Sequence, residues 1–561
     1  MLSSSTSDRR TGLSRGLPAR ARRAAACGVI AAIAAGVAAC GSSTGSSSAP
    51  PAKQVSLSAH VGAATGPVKL VTWNLPTGEP TTLDPALSAL ENISTIDGNL
   101  CESLFRFGPD YELIPDLATS VKEPDPTTYV IDLRHGVRFW NGRPMTSADV
   151  VESMHRVTDP AIGSSWIAAY QGVRSIRPHG PYQVIVTFKE PNAEFRWNLA
   201  TPATAIVEKA FVQQDPKAFG SPTRGVMCTG PFRFSSWRQG QDIVIARNAH
   251  YWDHARIPLA HQIRFTFDTD AASQSAALAD GSVDGQWDSS VATFKQLRGS
   301  RAGSLMYAPS LSTTFISWFV DHASVKSRTI RAALHDVIPY ASIASNVYGG
   351  SAFPVKSLTP PHTWGYARRV FGDAYAKLPR PVQDLAAARK LVRSAGRQAA
   401  PVVLGYSATD PEETNIALAI QSAAQEAGLK LKLDALNASQ SNQVFSSAKA
   451  RAPLSGLLAT GYLDYPDPLE YDSYWTTGSY YNFGGYHDPR YDRLVAAAQG
   501  TVNPTARAST LVKAEAIYYA SDSAAPIVSQ YVNVFVNHHL TGVTPNQDFY
   551  YTAWADRLGR R

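Results

Sequence analysis

Leu133-Arg134-His135-Gly136-Val137-Arg138-Phe139, followed after two residues by Gly142-Arg143-Pro144-Met145-Thr146-Ser147-Ala148-Asp149-Val150, decides how this chain is read. Residues 128–133, Thr-Tyr-Val-Ile-Asp-Leu, are rich in β-branched and aromatic types and lead into this stretch as a strand. Residues 146–157 leave it as a helix, with a Ser/Asp start to cap its first turn. Further out, residues 182–188 alternate with period two and residues 68–73 form another strand pattern. Residues 384–395 and 415–427 carry Ala/Leu faces that stop at Gly396 and Gly428, glycine being the usual helix terminator. The chain is therefore an α/β mixture. No period of roughly 20 to 50 residues recurs, which argues against solenoids and propellers.

The amino terminus belongs to another regime. Arg9, Arg10, Arg15, Arg20, Arg22 and Arg23 precede an apolar run over residues 24–39, the pattern of a secretory signal peptide. The run is shorter than the roughly 20 residues that span a bilayer. It ends in Val37-Ala38-Ala39-Cys40-Gly41, which resembles a lipobox with Val37 where Leu is more usual. That resemblance implies cleavage before Cys40 and lipidation of its sulfur, with an ordinary small residue closing an apolar helix as the alternative. Residues 41–51 are almost wholly Gly, Ser, Thr, Ala and Pro, a flexible tether. We expect residues 1–39 as signal peptide and 40–67 as lipidated cysteine and tether, holding the chain at the extracytoplasmic face of the membrane, in the periplasmic space where an outer membrane exists.

Removing the leader changes the meaning of the charge. Six of the 52 basic residues and one of the 45 acidic residues lie there, so +7 falls to +2. A nucleic-acid binder carries its basic excess on the folded part, so that class is set aside. Of four cysteines, Cys27 is in the leader and Cys40 is the lipid site. Cys101 and Cys228 remain in an oxidising compartment, where one disulfide is expected and two separate buried thiols are the alternative. Residues 68–561 are too many for one core and contain no second low-complexity linker, so the chain should cross between lobes more than once.

Catalytic motifs are not found. Gly12-Leu13-Ser14-Arg15-Gly16 has nucleophile-elbow spacing but lies in the leader, and no P-loop, His-Glu-x-x-His or dinucleotide fingerprint occurs. His538-His539 has no third ligand in range, and no metal or cofactor is expected. The densest carboxylate group is Asp464-Tyr465-Pro466-Asp467-Pro468, with Glu470 and Asp472 close behind. It reads as an acidic turn capping the next helix, as an acid/base pair of a secreted hydrolase, or as a stiff loop on which Asp464 accepts a ligand ammonium beside aromatic walls.

Several blocks then fall in a familiar order: Thr82-Leu83-Asp84-Pro85, residues 99–107 (NLCESLFRF), Pro115-Asp116-Leu117-Ala118, the stretch opened on above, Thr229-Gly230-Pro231-Phe232, Arg247-Asn248-Ala249-His250-Tyr251-Trp252, and Gly281-Ser282-Val283-Asp284. Val347-Tyr348-Gly349-Gly350, residues 360–366, 464–468 and 482–491 complete the set. Together they resemble the family 5 extracellular solute-binding proteins, the dipeptide- and oligopeptide-binding lipoproteins of ABC importers. The resemblance implies a periplasmic-binding-protein-like type II α/β fold with two hinged lobes. Lobe I would comprise residues 68–93, 201–309 and 532–561, an inserted subdomain 94–200, and lobe II 310–531, with hinge strands near 314–320 and 526–532. Cys101 and Cys228 would then bond across the boundary between insert and lobe I.

It also implies a role. The chain would be a monomer, not an enzyme, capturing peptide by lobe closure and delivering it to the transmembrane subunits of an ABC permease. Other relatives in the family bind metal chelates, haem, glutathione or oligosaccharides, which stand as alternative ligands. Peptide-binding relatives anchor the ligand ammonium in the segment matching residues 461–465, which selects Asp464 with Tyr462 and Tyr465 beside it. Trp73 and Asn74 would line the cleft from lobe I, and Trp364 from the far side. Dipeptide binders carry an Arg in the loop matching residues 406–413, whereas here it reads Tyr-Ser-Ala-Thr-Asp-Pro-Glu-Glu, which favours longer peptides.

Overall fold

The computed structural model describes residues 54–58, 61–88, 90–396 and 400–561, and of Asp548 the backbone only. The signal peptide and Cys40 lie outside the described residues. Around the opening stretch, the strand Thr128–Leu133 runs into a turn and then the helix Ser147–Thr158. Asp149 closes that helix by accepting from the Thr146 backbone N–H at 2.9 Å. The strand sits in a four-stranded antiparallel sheet with Ala118–Asp125, Gln183–Phe188 and Val173–Pro178. Its alternate residues Tyr129, Ile131 and Leu133 are buried with Val184, Val186 and Phe188 from the neighbouring strand. Met154 and Val157 of the helix close the same core.

The two lobes share one sheet. Val71–Asn74 lies between Gln262–Thr266 and Gly285–Trp287, parallel to both. Gly285–Trp287 pairs antiparallel with the long strand Ala524–Asn537. The carboxyl-terminal half of that strand also pairs with Gly303–Pro309. Its amino-terminal half pairs with Ser312–Trp318, which leads on to Gly456–Tyr462, Val402–Ser407 and Leu431–Leu436. The first-lobe ladder ends at Pro309↔Tyr531, and second-lobe pairing begins at Ala352↔Gln530, with Ser312–Trp318 joining from Thr314↔Val528. The crossing therefore falls in residues 309–312 and 530–531, where Ser310 Oγ donates to the Gln530 carbonyl at 2.5 Å. Most of the residues expected as hinge near 314–320 instead lie inside the second lobe's sheet.

Cys101 closes the helix Glu91–Leu100 and is bonded to Cys228, with Cα atoms 5.0 Å apart. Gly230, two residues on, packs where a Cβ would collide with the Leu100 carbonyl, so the two segments meet only because no side chain intervenes. The helix expected over residues 415–427 begins earlier, as Pro411–Glu426, capped by Asp410. The tether expected through residue 67 is also shorter than that. Thr65 N–H donates to the Arg560 carbonyl at 2.8 Å, and Thr541 Oγ1 donates to the Gly62 carbonyl at 2.6 Å. Backbone groups that can pair with the folded body do so and stop being free chain. Among the described residues no helix is long and apolar enough to cross a membrane.

Candidate ligand-binding site

The strand Gly456–Tyr462 delivers its last residue, Tyr462, to the gap between the lobes, where the side chain stays 45% exposed. The loop that follows is held stiffly. Leu463 N–H donates to the Leu311 carbonyl, and Asp464 N–H donates to both Glu470 carboxyl oxygens at 3.2 and 3.1 Å. Pro466 and Pro468 fix the backbone beyond it. Asp467, fully buried, caps the helix Pro468–Tyr474 by accepting from Leu469 N–H. It also accepts from Tyr366 OH at 2.8 Å, Trp197 Nε1 at 3.0 Å and Arg507 Nη2 at 3.0 Å. The capping role therefore falls to Asp467 and leaves Asp464 to face the gap.

Asp464 Oδ1 accepts a hydrogen bond from Tyr551 OH, supplied by the carboxyl-terminal segment of the first lobe. Tyr550 beside it lies nearly parallel to Tyr462 across the gap, ring centroids 6.3 Å apart, and its OH donates to Asp288 Oδ2 at 3.2 Å. Glu91 stands on the same side, accepting from Thr77 Oγ1 at 2.6 Å. The interlobe face is thus a wall of tyrosines holding Asp464 and Glu470 from one lobe, Asp288 and Glu91 from the other.

These carboxyls are short of positive charge. Burial pushes Asp464 up to about 6, opposed only by the Tyr551 hydrogen bond. Burial, then the neighbouring Asp464, holds Glu470 well above the carboxylate range. Burial also raises Asp288 to about 6 and Glu91 to about 7, with Asp288 adding to the rise in Glu91. Among the described residues no ion pair joins any of the four. Desolvated carboxylates without a counter-ion are unfavourable in the empty protein and favour a cationic guest.

The other expected contacts lie elsewhere. Trp73 is fully buried, its ring packed on Trp554 at 4.4 Å and Trp287 at 6.2 Å, a core residue of the first lobe. Asn74 is 2% exposed and spends its amide on Asp268, Gln286 and Thr266. Trp364 donates to the Thr359 carbonyl and stacks on Phe371 inside the second lobe. Tyr465 turns away from the gap, donating to Glu194 Oε1 at 3.0 Å and lying parallel to Trp197, both in the insert. An aromatic or amide at the end of a strand or turn is as easily a packing residue as a contact, and all four of these positions are internal. Sequence reasoning missed Glu91, Asp288, Tyr550 and Tyr551. The run Phe549-Tyr550-Tyr551 was the one visible signal, since Phe549 is buried while its two neighbours carry hydroxyls to the gap.

Two lobes built on a shared strand, facing each other across an acidic tyrosine-lined gap, define a two-lobed solute-binding protein of the periplasmic-binding-protein type II class. The chain belongs to the bacterial extracellular solute-binding proteins, family 5, whose model matches residues 112–483. It is 25% identical over 487 residues to the glutathione-binding protein GsiB of Shigella dysenteriae, covering 84% of this chain and 91% of that one. The ABC transporter substrate-binding protein CtaP of Listeria monocytogenes superposes with TM-score 0.78 at 20% identity, covering 88% of this chain and 99% of that chain. The oligopeptide-binding protein AppA of Bacillus subtilis, solved with a nonapeptide, superposes with TM-score 0.72 at 19% identity, covering 88% and 100%. This chain is therefore a substrate-binding protein of the kind that serves ABC importers and not an enzyme.

Proposed function

We propose that the ligand is an oligopeptide whose amino-terminal ammonium sits at Asp464, and that the chain is a monomer tethered at the outer face of the membrane by lipid on Cys40, delivering its ligand to the transmembrane subunits of an ABC permease. Lobe I is taken as residues 68–93, 201–309 and 532–561, the insert as 94–200 and lobe II as 310–531. The observation that carries the ligand reading is the Asp464 carboxyl, half-hidden between the lobes with a neutral tyrosine OH as its polar partner and, among the described residues, no cation. An ammonium there would supply the missing charge, and closure would dehydrate the pair and strengthen it. Tyr462 and Tyr550 stack on each other in this arrangement, and on parting they would offer an extended chain flat apolar faces with polar tips. The loop at residues 406–413, where a short-peptide carboxylate clamp would be expected, offers Asp410, Glu412 and Glu413 instead, the last raised to about 7 mainly by burial. A ligand whose carboxylate lies beyond that loop suits it better than a dipeptide.

Closure supplies the transport logic. A peptide bound to one lobe gains contacts to the other only in the closed form, so the liganded chain favours the shape a permease can read. Native mass spectrometry of the purified protein with a random peptide pool, free or N-acetylated, tests the ligand reading. Peptides should be retained from the free pool and lost from the acetylated one. Equal retention from both pools would remove the ammonium anchor, and retention from neither would remove the peptide. Intact mass of the membrane-extracted protein, with Cys40→Ser as comparison, tests the lipid.

A further inference from the structure

The amino-terminal arm does more than join the body to what precedes it. From the pairing of residues 62–66 on the first lobe's edge it continues to Ser58, whose N–H donates to the Tyr307 carbonyl at 2.8 Å, still on the first lobe. Three residues earlier Val55 N–H donates to the Gly350 carbonyl at 3.2 Å, on the second lobe. One residue before Val55 the arm also meets the crossing strand, where Gln54 Nε2 donates to Tyr531 OH at 2.7 Å. The Val55 side chain packs on Phe294, Tyr307 and Tyr531, with Phe353 of the second lobe in the same apolar group.

Gly350 is well chosen for this contact. Gly349 and Gly350 both have left-handed backbone, φ +57° and +82°, which turns consecutive carbonyls outward at the end of the helical segment Ile343–Val347. The first is taken by Arg298 Nη1 of the first lobe at 3.1 Å, the second by the arm. Gly350 lies beside the pivot, since the next carbonyl, that of Ser351, accepts from Tyr531 N–H at 2.8 Å, and a rotation about residues 309–312 and 530–531 changes the geometry of Gly350 relative to Tyr307. Hydrogen bonds weaken steeply with length and angle, so a rotation large enough to separate the two carbonyls costs one of the two bonds made by Val55 and Ser58.

We propose that residues 54–58 form a strap across the hinge that favours the lobe arrangement described here. The claim is independent of what the ligand is. Nitroxides at Gln241→Cys on the first lobe and Leu418→Cys on the second, both exposed positions, report the interlobe distance in the ligand-free full chain by pulsed dipolar spectroscopy. Val55→Pro and Ser58→Pro each delete one strap donor, and each should lower the population at the interlobe distance of the arrangement described here, relative to all others, about fivefold or more. Leu57→Ala, at an exposed position, should leave that population unchanged. Hydrogen exchange over residues 54–58 reports whether the arm has been freed. A freed arm with an unaltered distance distribution overturns the proposal. So does an arm that stays protected in both variants, or a parent protein with no population at that distance.

Discussion

Replacing Asp464 by Asn should make the empty protein more stable and the loaded protein weaker. The carboxyl sits at about 6 in the folded chain against an ordinary 3.8. Because the folded value is raised, the stability tied to its protonated form is fully present below 3.8 and is lost as pH climbs through about 6. At 1.36 kcal/mol per pH unit, that interval amounts to about 3 kcal/mol of destabilisation at neutral pH. Asn removes the charge and keeps the shape, but weakens the bond from Tyr551 by about 1 kcal/mol, leaving a gain of about 2 kcal/mol. With an unfolding entropy of about 2.1 cal/mol/K per residue over about 500 residues, each kcal/mol moves the midpoint by about 1 °C. Scanning calorimetry of ligand-free protein should show the Asp464→Asn variant melting about 2 °C higher than the parent at pH 7.5 and no higher near pH 4. Peptide affinity should fall at least tenfold, since an amide offers no charge to an ammonium. A midpoint that is unchanged at pH 7.5, or a gain of equal size at both pH values, would refute the reasoning.

The same ionisation predicts that peptide affinity, measured by calorimetric titration, declines toward tenfold per pH unit below about 6 as Asp464 is protonated, and that Asp464→Asn abolishes that slope. Removing the Cys101–Cys228 bond, which spans a sequence separation of 127, should cost about 5 kcal/mol on chain-entropy grounds and lower the melting midpoint of the double serine variant by about 5 °C; an unaltered midpoint would show that the bond is absent or idle. Asp467→Ala strands the buried Arg507 guanidinium and should destabilise by about 3–5 kcal/mol in the same scan, with Asp467→Leu/Arg507→Met recovering part of the loss.

The elements that could be read from sequence are those whose signals are local. Residues 128–133 and 146–157 carry their strand and helix in side-chain type and cap, and appear within a residue of where they were expected. The helix start at Pro411 escapes that reading because the Asp410-Pro411 pair, a cap followed by a proline suited to a first turn, looks equally like loop. The candidate site was half legible. Asp464 and Tyr462 follow a strand end and a proline-stiffened turn, features with sequence signatures. Glu91 and Asp288 are single acidic residues in ordinary surroundings, and Tyr550 and Tyr551 come from a segment that returns to the gap from the far end of the chain. No local pattern announces a meeting of residues more than 80 positions apart, as between Tyr551 and Asp464. Trp73 and Trp364 show the converse, since an indole at the end of a strand or turn looks the same in sequence whether it meets a ligand or, as here, other rings.

The strand Ala524–Asn537 is hydrogen-bonded into both lobes, and it follows in the chain every strand it joins. Neither sheet can be completed while it is absent: Gly285–Trp287 lacks a neighbour on one side, and Ser312–Trp318 lacks one on the other. Pairings of such long sequence separation form slowly in any case. A polypeptide that must thread a narrow translocation channel benefits from remaining unfolded until its far end has emerged. Here the order of the strands favours that delay, because both sheets wait on one late-coming strand.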